Sequence, residues 1–183
     1  MFIRSERLFL RPGWPEDGPD LFAAIADEGV VRNLATAPWP YTMADAMAFA
    51  RRGQEHMLPH FLITLPGGDG ERLIGSIGLG NHDGEVELGF WIARSHWGQG
   101  YASEAARVVL RLAAALGHRR IVAGHFVDNP ASGRVLEKAG FVWTGEQERR
   151  FSAGRGEAAP ARSYVCELGE RCDDGIGDLM RAA

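Results

Sequence analysis

Apolar residues along the chain change spacing from segment to segment, and each change of period marks an element. Leu21, Phe22 and Ile25 stand at helical spacing over 20–28, with Glu16 and Asp17 ahead of them suited to a helix start. Thr42 with Asp45 three residues on is close to a capping box, and Ala46, Phe49 and Ala50 continue one face, so a second helix is predicted to begin there and to end before Pro59. The longest stripe, Ala102, Ala105, Ala106, Val109, Leu112, Ala113 and Leu116, predicts a helix over 102–116 with Ser103, Arg107 and Arg111 opposite and Gly117 as its stop. A last helix starts at Asp128 or Asn129, with Pro130 in its first turn, and runs to Ala139 before Gly140.

Between these helices the pattern is that of strands. Residues 6–12 form a short first strand stopped by Pro12 and Gly13, followed later by strands over 60–65, 72–79 and 85–93. The last two are joined by Asn81-His82-Asp83-Gly84, a hairpin loop ending in Asp-Gly. The 121–127 run reads as a buried strand, and 141–151 and 163–168 as final strands around a Gly/Pro loop over 153–161. Pro38 and Pro40 make 36–41 a loop, and 66–70 is a turn. Central hairpins with one βαβ crossover imply an α+β fold: a mixed, mainly antiparallel sheet with helices on both faces. No repeat or linker divides the chain, so one domain over 1–168 and a loose polar tail over 169–183 are expected.

The length of 183 residues suits that single domain, and 45% hydrophobic with 24% charged residues excludes a disordered chain. No apolar run approaches the ~18–20 residues of a membrane helix. Met1–Arg7 lacks the apolar stretch of a signal peptide, so a soluble, cytoplasmic protein is expected, with no membrane partner. Cys166 and Cys172 make no disulfide framework and read as structural or incidental thiols. A net charge of −4 argues against a nucleic-acid partner. The charge is uneven, however: 94–138 holds seven basic residues against three acidic ones, which suits either an anionic small ligand or a solvated helix face.

The candidate chemistry lies in Trp97-Gly98-Gln99-Gly100-Tyr101-Ala102, between a strand and a helix. Two glycines let the backbone turn and approach a ligand, and amides at a helix N-terminus favour phosphate. A P-loop would need Gly-Lys-Ser/Thr, yet the only lysine is Lys138; a dinucleotide fingerprint would need a third glycine near Ser103 and an acidic residue where Arg119 and Arg120 stand. The pyrophosphate loop of an acyl-coenzyme A enzyme remains.

The stretch Trp97 to Ala105 resembles the cofactor motif of the GNAT N-acetyltransferase superfamily, in the tryptophan-led form of its RimJ/RimL branch. Glu87-Leu88-Gly89-Phe90-Trp91-Ile92, Asn129-Pro130-Ala131-Ser132 with Glu137 to Phe141, and Trp39-Pro40-Tyr41-Thr42 are similar to further segments of that family. The resemblance spans about 6–168 and implies acetyl-CoA as co-substrate, inserted in a splay between the fourth and fifth strands (85–93 and 121–127). Backbone groups of Phe90, Trp91, Ile92 and Ala93 would pair with the pantetheine arm. Amides of Gln99, Gly100, Tyr101 and Ala102 would hold the pyrophosphate, Asn129 would orient the cofactor, and Trp97, Gly98, Ser103 and Ser132 would also contact it.

Acetyl transfer to a primary amine, either a protein N-terminal α-amine or a small molecule, needs a base, a polarised carbonyl and a donor to the leaving thiolate. Glu87, beside the expected cleft, is the first candidate base, against a salt bridge that merely shapes the strand. His125 is second, as an acceptor-side residue or a satisfied core histidine; His82 reads as exposed. The tyrosine that many family members carry seven residues after Asn129 is Leu136 here, which leaves Ser132 as the candidate donor to the thiolate, or as a first-turn helix residue. Trp39 and Tyr41 would line the acceptor mouth or pin the helix connection. His56 and His60 lie four apart, but Pro59 breaks any helix between them and no third ligand is near, so no metal is expected. Two rival readings are a CoA-binding module without turnover, which Leu136 favours, and a nucleotide-binding regulatory domain. A monomer or a homodimer is expected, since exposed edges in such sheets sometimes pair.

Overall fold

A computed structural model describes residues 1–67 and 70–169. The strands are β1 (Ile3–Arg4), β2 (Phe9–Arg11), β3 (His60–Leu65), β4 (Arg72–His82), β5 (Glu85–Ile92), β6 (Arg120–Phe126), β7 (Val142–Ser152) and β8 (Glu157–Glu167). They form one eight-stranded sheet in the order β1-β2-β3-β4-β5-β6-β8-β7. Each neighbouring pair is antiparallel except β5 and β6, which run parallel. The helices are α1 (Gly18–Ile25), α2 (Glu28–Val31), α3 (Met43–Ala50), α4 (Tyr101–Ala115) and α5 (Pro130–Ala139). The expected mixed, mainly antiparallel α+β fold is the one observed.

The seam between β5 and β6 positions everything functional. β5 is fully registered with β4, from Gly75↔Ile92 to His82↔Glu85, and β6 with β8, from Arg120↔Glu167 to Phe126↔Ala161. Between themselves β5 and β6 share one residue pair, Glu87↔Val122. Beyond it the strands diverge, so the sheet opens into a V. These are the fourth and fifth strands of the sequence reading; the short β1 shifts their numbers by one.

Period-two alternation splits the core between the two faces. On β3, Phe61 and Ile63 join a cluster with Ala105, Ala106 and Val109 of α4 and Leu136 of α5. Leu62, between them, joins the opposite cluster with Leu21 and Ile25 of α1, Val30 and Val31 of α2, and Ala46 of α3. On β5, Leu88 and Ile92 point to the α4 side and Trp91 to the α1–α3 side. Helix α4 packs on β4 and β5, α5 packs on β6, and the two helices pack on each other, which holds the two halves of the sheet together where their hydrogen bonds do not.

Several local expectations hold. Thr42 caps α3 through a complete capping box, with Asp45 N–H donating to Thr42 Oγ1 at 3.2 Å and Thr42 N–H to Asp45 Oδ2 at 2.9 Å. Others need correction. The helix expected over 20–28 stops at Ile25, because the Asp27 side chain caps a separate turn, α2, by accepting from Val30 N–H at 3.2 Å. The strand expected over 6–12 is only β2, Phe9–Arg11, with β1 an unexpected short strand before it, since Ser5 Oγ and Leu8 hydrogen-bond in a turn between them. The loop expected over 153–161 is a tight turn at 153–156, closed by Gly156 N–H donating to the Ser152 carbonyl at 2.9 Å, with Gly156 at φ +71. Pro160 lies within β8 and keeps its carbonyl engaged, accepting from Val127 N–H at 2.9 Å. Ser103, expected on the exposed face of α4, is buried, as is Glu104. Residues 68–69 of the predicted turn, nearly all of the predicted tail, and Cys172 lie outside the described residues.

Candidate active site

A cavity of about 250 Å³ opens at the seam. Phe90, Trp91 and Ile92 of β5 form its floor, the Gly98–Ser103 segment one wall, and α5 another. The end of α2, through Val30, Asn33 and Leu34, closes it from the opposite face of the sheet. The alternation of the β4–β5 ladder, with Ala93 N–H donating to the Ile74 carbonyl at 2.7 Å, aims the backbone groups of Phe90 and Ile92 away from β4 and into the splay. Ala93 therefore spends its N–H inside the sheet and does not line this cavity, contrary to expectation. The Ile92 carbonyl is also taken, by Trp97 Nε1 at 2.6 Å, which leaves the Phe90 backbone as the best placed to pair with an extended ligand.

Gly98 and Gly100 both take positive φ, +76 and +82, which a side chain would strain. Gly100 is the N-cap of α4, and no side chain caps the helix. The first-turn amides are thus free to meet an anion, with the partial positive charge of a fifteen-residue helix behind them. Tyr101, Ala102 and Ser103 line the cavity beside them, whereas Gln99 turns its carbonyl away, toward Arg7. Of the basic run over 94–138, only Arg134 and Lys138, one turn apart on α5, reach the cavity wall.

Across from the loop, Asn129 Nδ2 donates to Ser132 Oγ at 2.9 Å. Because Asn129 fills an acceptor position of that hydroxyl, its own proton is available to another acceptor, and both residues line the cavity. Leu136, at the position of the missing tyrosine, is fully buried in the core and contributes no polar group.

Glu87 lies on the α1–α3 face of β5, where both carboxylate oxygens accept from the two terminal nitrogens of Arg150, Oε2 at 2.7 Å. The two side chains are 17% and 18% exposed, so the pair is mostly shielded but reachable. Beside it Gly89 is exposed with open space above it, and the bare Cα of Gly124 on β6 is in reach of Arg150 and Glu87. The floor on this side of the seam is therefore a charged pair flanked by two glycines.

The remaining candidates fall elsewhere. His125 is buried on the α5 side of β6, where Nδ1 donates to the Phe126 carbonyl at 2.8 Å and the ring packs 5.5 Å from Tyr164. Its Nε2 has no partner and abuts Gly133, where a Cβ would stand 2.7 Å away; His125 is a core residue and does not face the acceptor side. Tyr41 is 8% exposed within the α1–α3 cluster, and burial, aided by Asp45, pushes its hydroxyl up to about 12. It pins the α2–α3 connection instead of lining a mouth. Trp39 is exposed on its loop and does not line the cavity. Among the described residues no group of three or more His, Cys, Asp or Glu could hold a metal. No described helix is long and apolar enough to cross a membrane.

Sequence reasoning missed three contributors. Arg150 carried no signal, because an arginine in an exposed strand has no partner legible in the chain. Arg155 is consumed by its own contacts: it donates to the Arg32 carbonyl and to both oxygens of Asp128, and stacks on Phe126. It thereby ties the β7–β8 turn to α2 and to the residue preceding Asn129. The Arg155 hydrogen bonds are the main reason the Asp128 carboxyl sits below its usual range. The third is Arg7, behind the glycine loop.

Comparison with known proteins agrees with this geometry. Residues 7–142 match the family model described as an acetyltransferase (GNAT) domain. The uncharacterized N-acetyltransferase YoaA of Bacillus subtilis (strain 168) is 34% identical over 148 residues, covering 76% of this chain and 81% of the relative. The ribosomal-protein-serine acetyltransferase of Escherichia coli (strain K12) is 40% identical over 61 residues, 33% of this chain and 34% of that protein. Among solved structures, the RimL ribosomal L7/L12 alpha-N-protein acetyltransferase in complex with coenzyme A superposes with a TM-score of 0.74 at 20% identity, covering 92% of this chain and 98% of that one. The chain belongs to the GNAT acetyltransferase family: it is an acetyl-CoA-dependent N-acetyltransferase.

Proposed function

We propose that the acceptor is a primary amine, in the first instance the α-amine of a protein N-terminus, and that it attacks the thioester directly from the α1–α3 side of the seam. The observation that carries this is the Glu87–Arg150 pair on a floor of glycines. A carboxylate whose two oxygens are both held by a guanidinium must give up one of those hydrogen bonds to take a proton, which suits an amine that needs little help. About a tenth of an α-amine is neutral at pH 7, against less than about a thousandth of a lysine side chain. The partial likeness to a ribosomal-protein-serine acetyltransferase points the same way.

In this reading acetyl-CoA enters through the cavity, its diphosphate on the amides around Gly98–Ala102 and its pantetheine arm along the Phe90 backbone. A Phe90 N–H facing the splay polarises the thioester carbonyl. Glu87 accepts the ammonium proton, directly or through water, and Arg150 fixes its position. As the C–S bond breaks, the Ser132 hydroxyl, oriented by Asn129, hydrogen-bonds the departing thiolate, and the second proton of the attacking nitrogen ends on that sulfur. No covalent enzyme intermediate is required.

Release of CoA thiol with a panel of acceptors tests the acceptor class. Peptides with free N-termini are expected to support release that N-terminal blocking abolishes, even when lysines are present. Release with polyamines or other small amines alone would overturn the choice of acceptor. Ser132→Ala is expected to lower kcat about tenfold, the value of one hydrogen bond to a charged group, while acetyl-CoA binding by calorimetry changes less than about threefold. An unchanged kcat would retire Ser132 as the donor.

A further inference from the structure

The glycine loop is braced from behind by a residue 92 positions earlier in the chain: Arg7, in the turn between β1 and β2. Its Nε and Nη2 both donate to Glu104 Oε2 at 2.7 Å, and its backbone N–H to Oε1 at 2.9 Å, where Ser5 Oγ also donates at 2.7 Å. Its Nη1 donates to the Gln99 carbonyl at 3.0 Å, and the guanidinium stacks 4.7 Å over the Tyr101 ring. One side chain thus holds the loop, the first residue of α4 and its first-turn carboxylate.

Two consequences follow for an anion on the cavity side. The carbonyl and N–H of one trans peptide unit point in opposite directions. With the Gln99 carbonyl drawn back to Arg7, the Gly100 N–H is directed away from Arg7, toward the wall that Gly100 gives to the cavity. Gly100 stands at φ +82, and glycine tolerates either sign of φ, so nothing intrinsic to this peptide prevents it from turning over. A reversed peptide would present a carbonyl oxygen where a diphosphate needs a donor. Second, Glu104 places a buried negative charge in the first turn of the helix that receives the anion, and Arg7 cancels it. Burial pushes the Glu104 carboxyl up, but hydrogen bonds from Ser5 and Arg7 outweigh this and hold it below its usual range.

We propose that Arg7 is a positioning residue for the acetyl-CoA diphosphate: it sets the Gln99–Gly100 peptide with its N–H toward the cofactor and neutralises Glu104 behind the loop. This rests on the reading of Gly98–Ala102 as the diphosphate site. Arg7 lines no part of the cavity and touches no reacting atom, so its effect is on the recognition of the nucleotide end alone.

The test is calorimetric binding of CoA, 3′-dephospho-CoA and pantetheine to the full chain, the last measured by displacement. The wild-type protein is expected to bind both CoA forms more tightly than pantetheine. Arg7→Gln should weaken both CoA forms about tenfold, the loss of one charge-assisted hydrogen bond, and leave pantetheine within about twofold. Arg7→Lys keeps a cation against Glu104, and with it the fold, but one ammonium does not reproduce the guanidinium fork that spans Glu104 and Gln99; it should weaken the CoA forms in the same direction. Equal weakening of pantetheine would reduce Arg7 to a structural role, and a loss seen with CoA but not with 3′-dephospho-CoA would assign it to the 3′-phosphate; either overturns the proposal. So would wild-type affinities in Arg7→Lys. A wild-type protein that does not prefer CoA over pantetheine would remove the loop reading itself, and the proposal with it.

Discussion

Glu87→Gln is expected to lower kcat/KM at pH 7 about 100-fold, the low end of the range for loss of a general base. The low end is argued from Arg150: both oxygens of Glu87 already accept from its guanidinium, so the carboxylate is well placed but an incoming proton must displace one of those hydrogen bonds. The loss has a direction in pH. Below the pKa of the acceptor amine, nearly every acceptor carries a proton that must leave, and the variant is impaired most. Above it, near pH 9 for an α-amine of pKa about 8, the free amine predominates and the deficit should shrink to about tenfold or less. The pH profile of kcat/KM for both proteins checks this. A deficit of the same size at every pH would make Glu87 an orienting group for the amine, and full activity at pH 7 would eliminate it from the chemistry.

The largest expected loss of stability comes from the other end of the molecule. Arg11 and Asp17 form a forked ion pair, 2.8 and 2.7 Å, with side chains only 8% and 10% exposed. Asp17 Oδ2 also accepts from Trp14 N–H at 2.7 Å, Arg11 Nε donates to Glu71 at 2.8 Å, and the guanidinium stacks 4.2 Å from the Trp14 ring. The group fastens β2 to the start of α1. Asp17→Ala removes the buried carboxylate shared by both terminal nitrogens, leaving the guanidinium only half-exposed Glu71 as a counter-charge, and should cost about 3 kcal/mol, lowering Tm by roughly 10 °C. Replacing both partners with apolar residues, Arg11→Met with Asp17→Leu, should cost less, because the penalty lies in the under-compensated buried charge. Denaturant titration of the single and double variants compares the two; equal losses would show that the pair itself, and not the stranded cation, supplies the stability.

The same pair sets a pH window. Burial pushes the Asp17 carboxyl up, but hydrogen bonds from Arg11 and Trp14 and the charge of Arg11 leave it below its usual range. Glu104 is depressed likewise, by Ser5 and Arg7. A carboxylate with a lowered folded pKa contributes stability that is present above its unfolded pKa of about 4 and is lost as pH falls through the folded value. The contributions of Asp17 and Glu104 to the unfolding free energy should therefore be fully present above about pH 5 and be lost below pH 4. Much of that loss should vanish in the Arg11→Met with Asp17→Leu double variant.

Patterns that depend on near neighbours in the chain were legible in the sequence. Thr42 and Asp45 announced the start of α3 because a capping box closes within four residues, and the stripe from Ala102 to Ala113 announced α4 because one face of one helix is buried. The glycine loop was legible because positive φ selects glycine and a following helix offers its amides. Asn129 and Ser132, three apart at a helix start, could be paired on the same ground. Where the sequence left two readings open, the deciding partner lay far along the chain. His125 became a core residue because α5 brings Gly133 down on it, and Tyr41 because α1 and α3 close over it. Glu87 was found by its place on β5, but its partner Arg150 is 63 residues away, and Arg7 meets Gln99 across 92. Local periodicity and backbone constraint fix which elements form and where a phosphate loop lies. Which charges are paired, which peptide faces the ligand and which histidine is buried follow from strand order and helix packing, because electrostatic and packing energies depend on distance in space and not on separation in sequence.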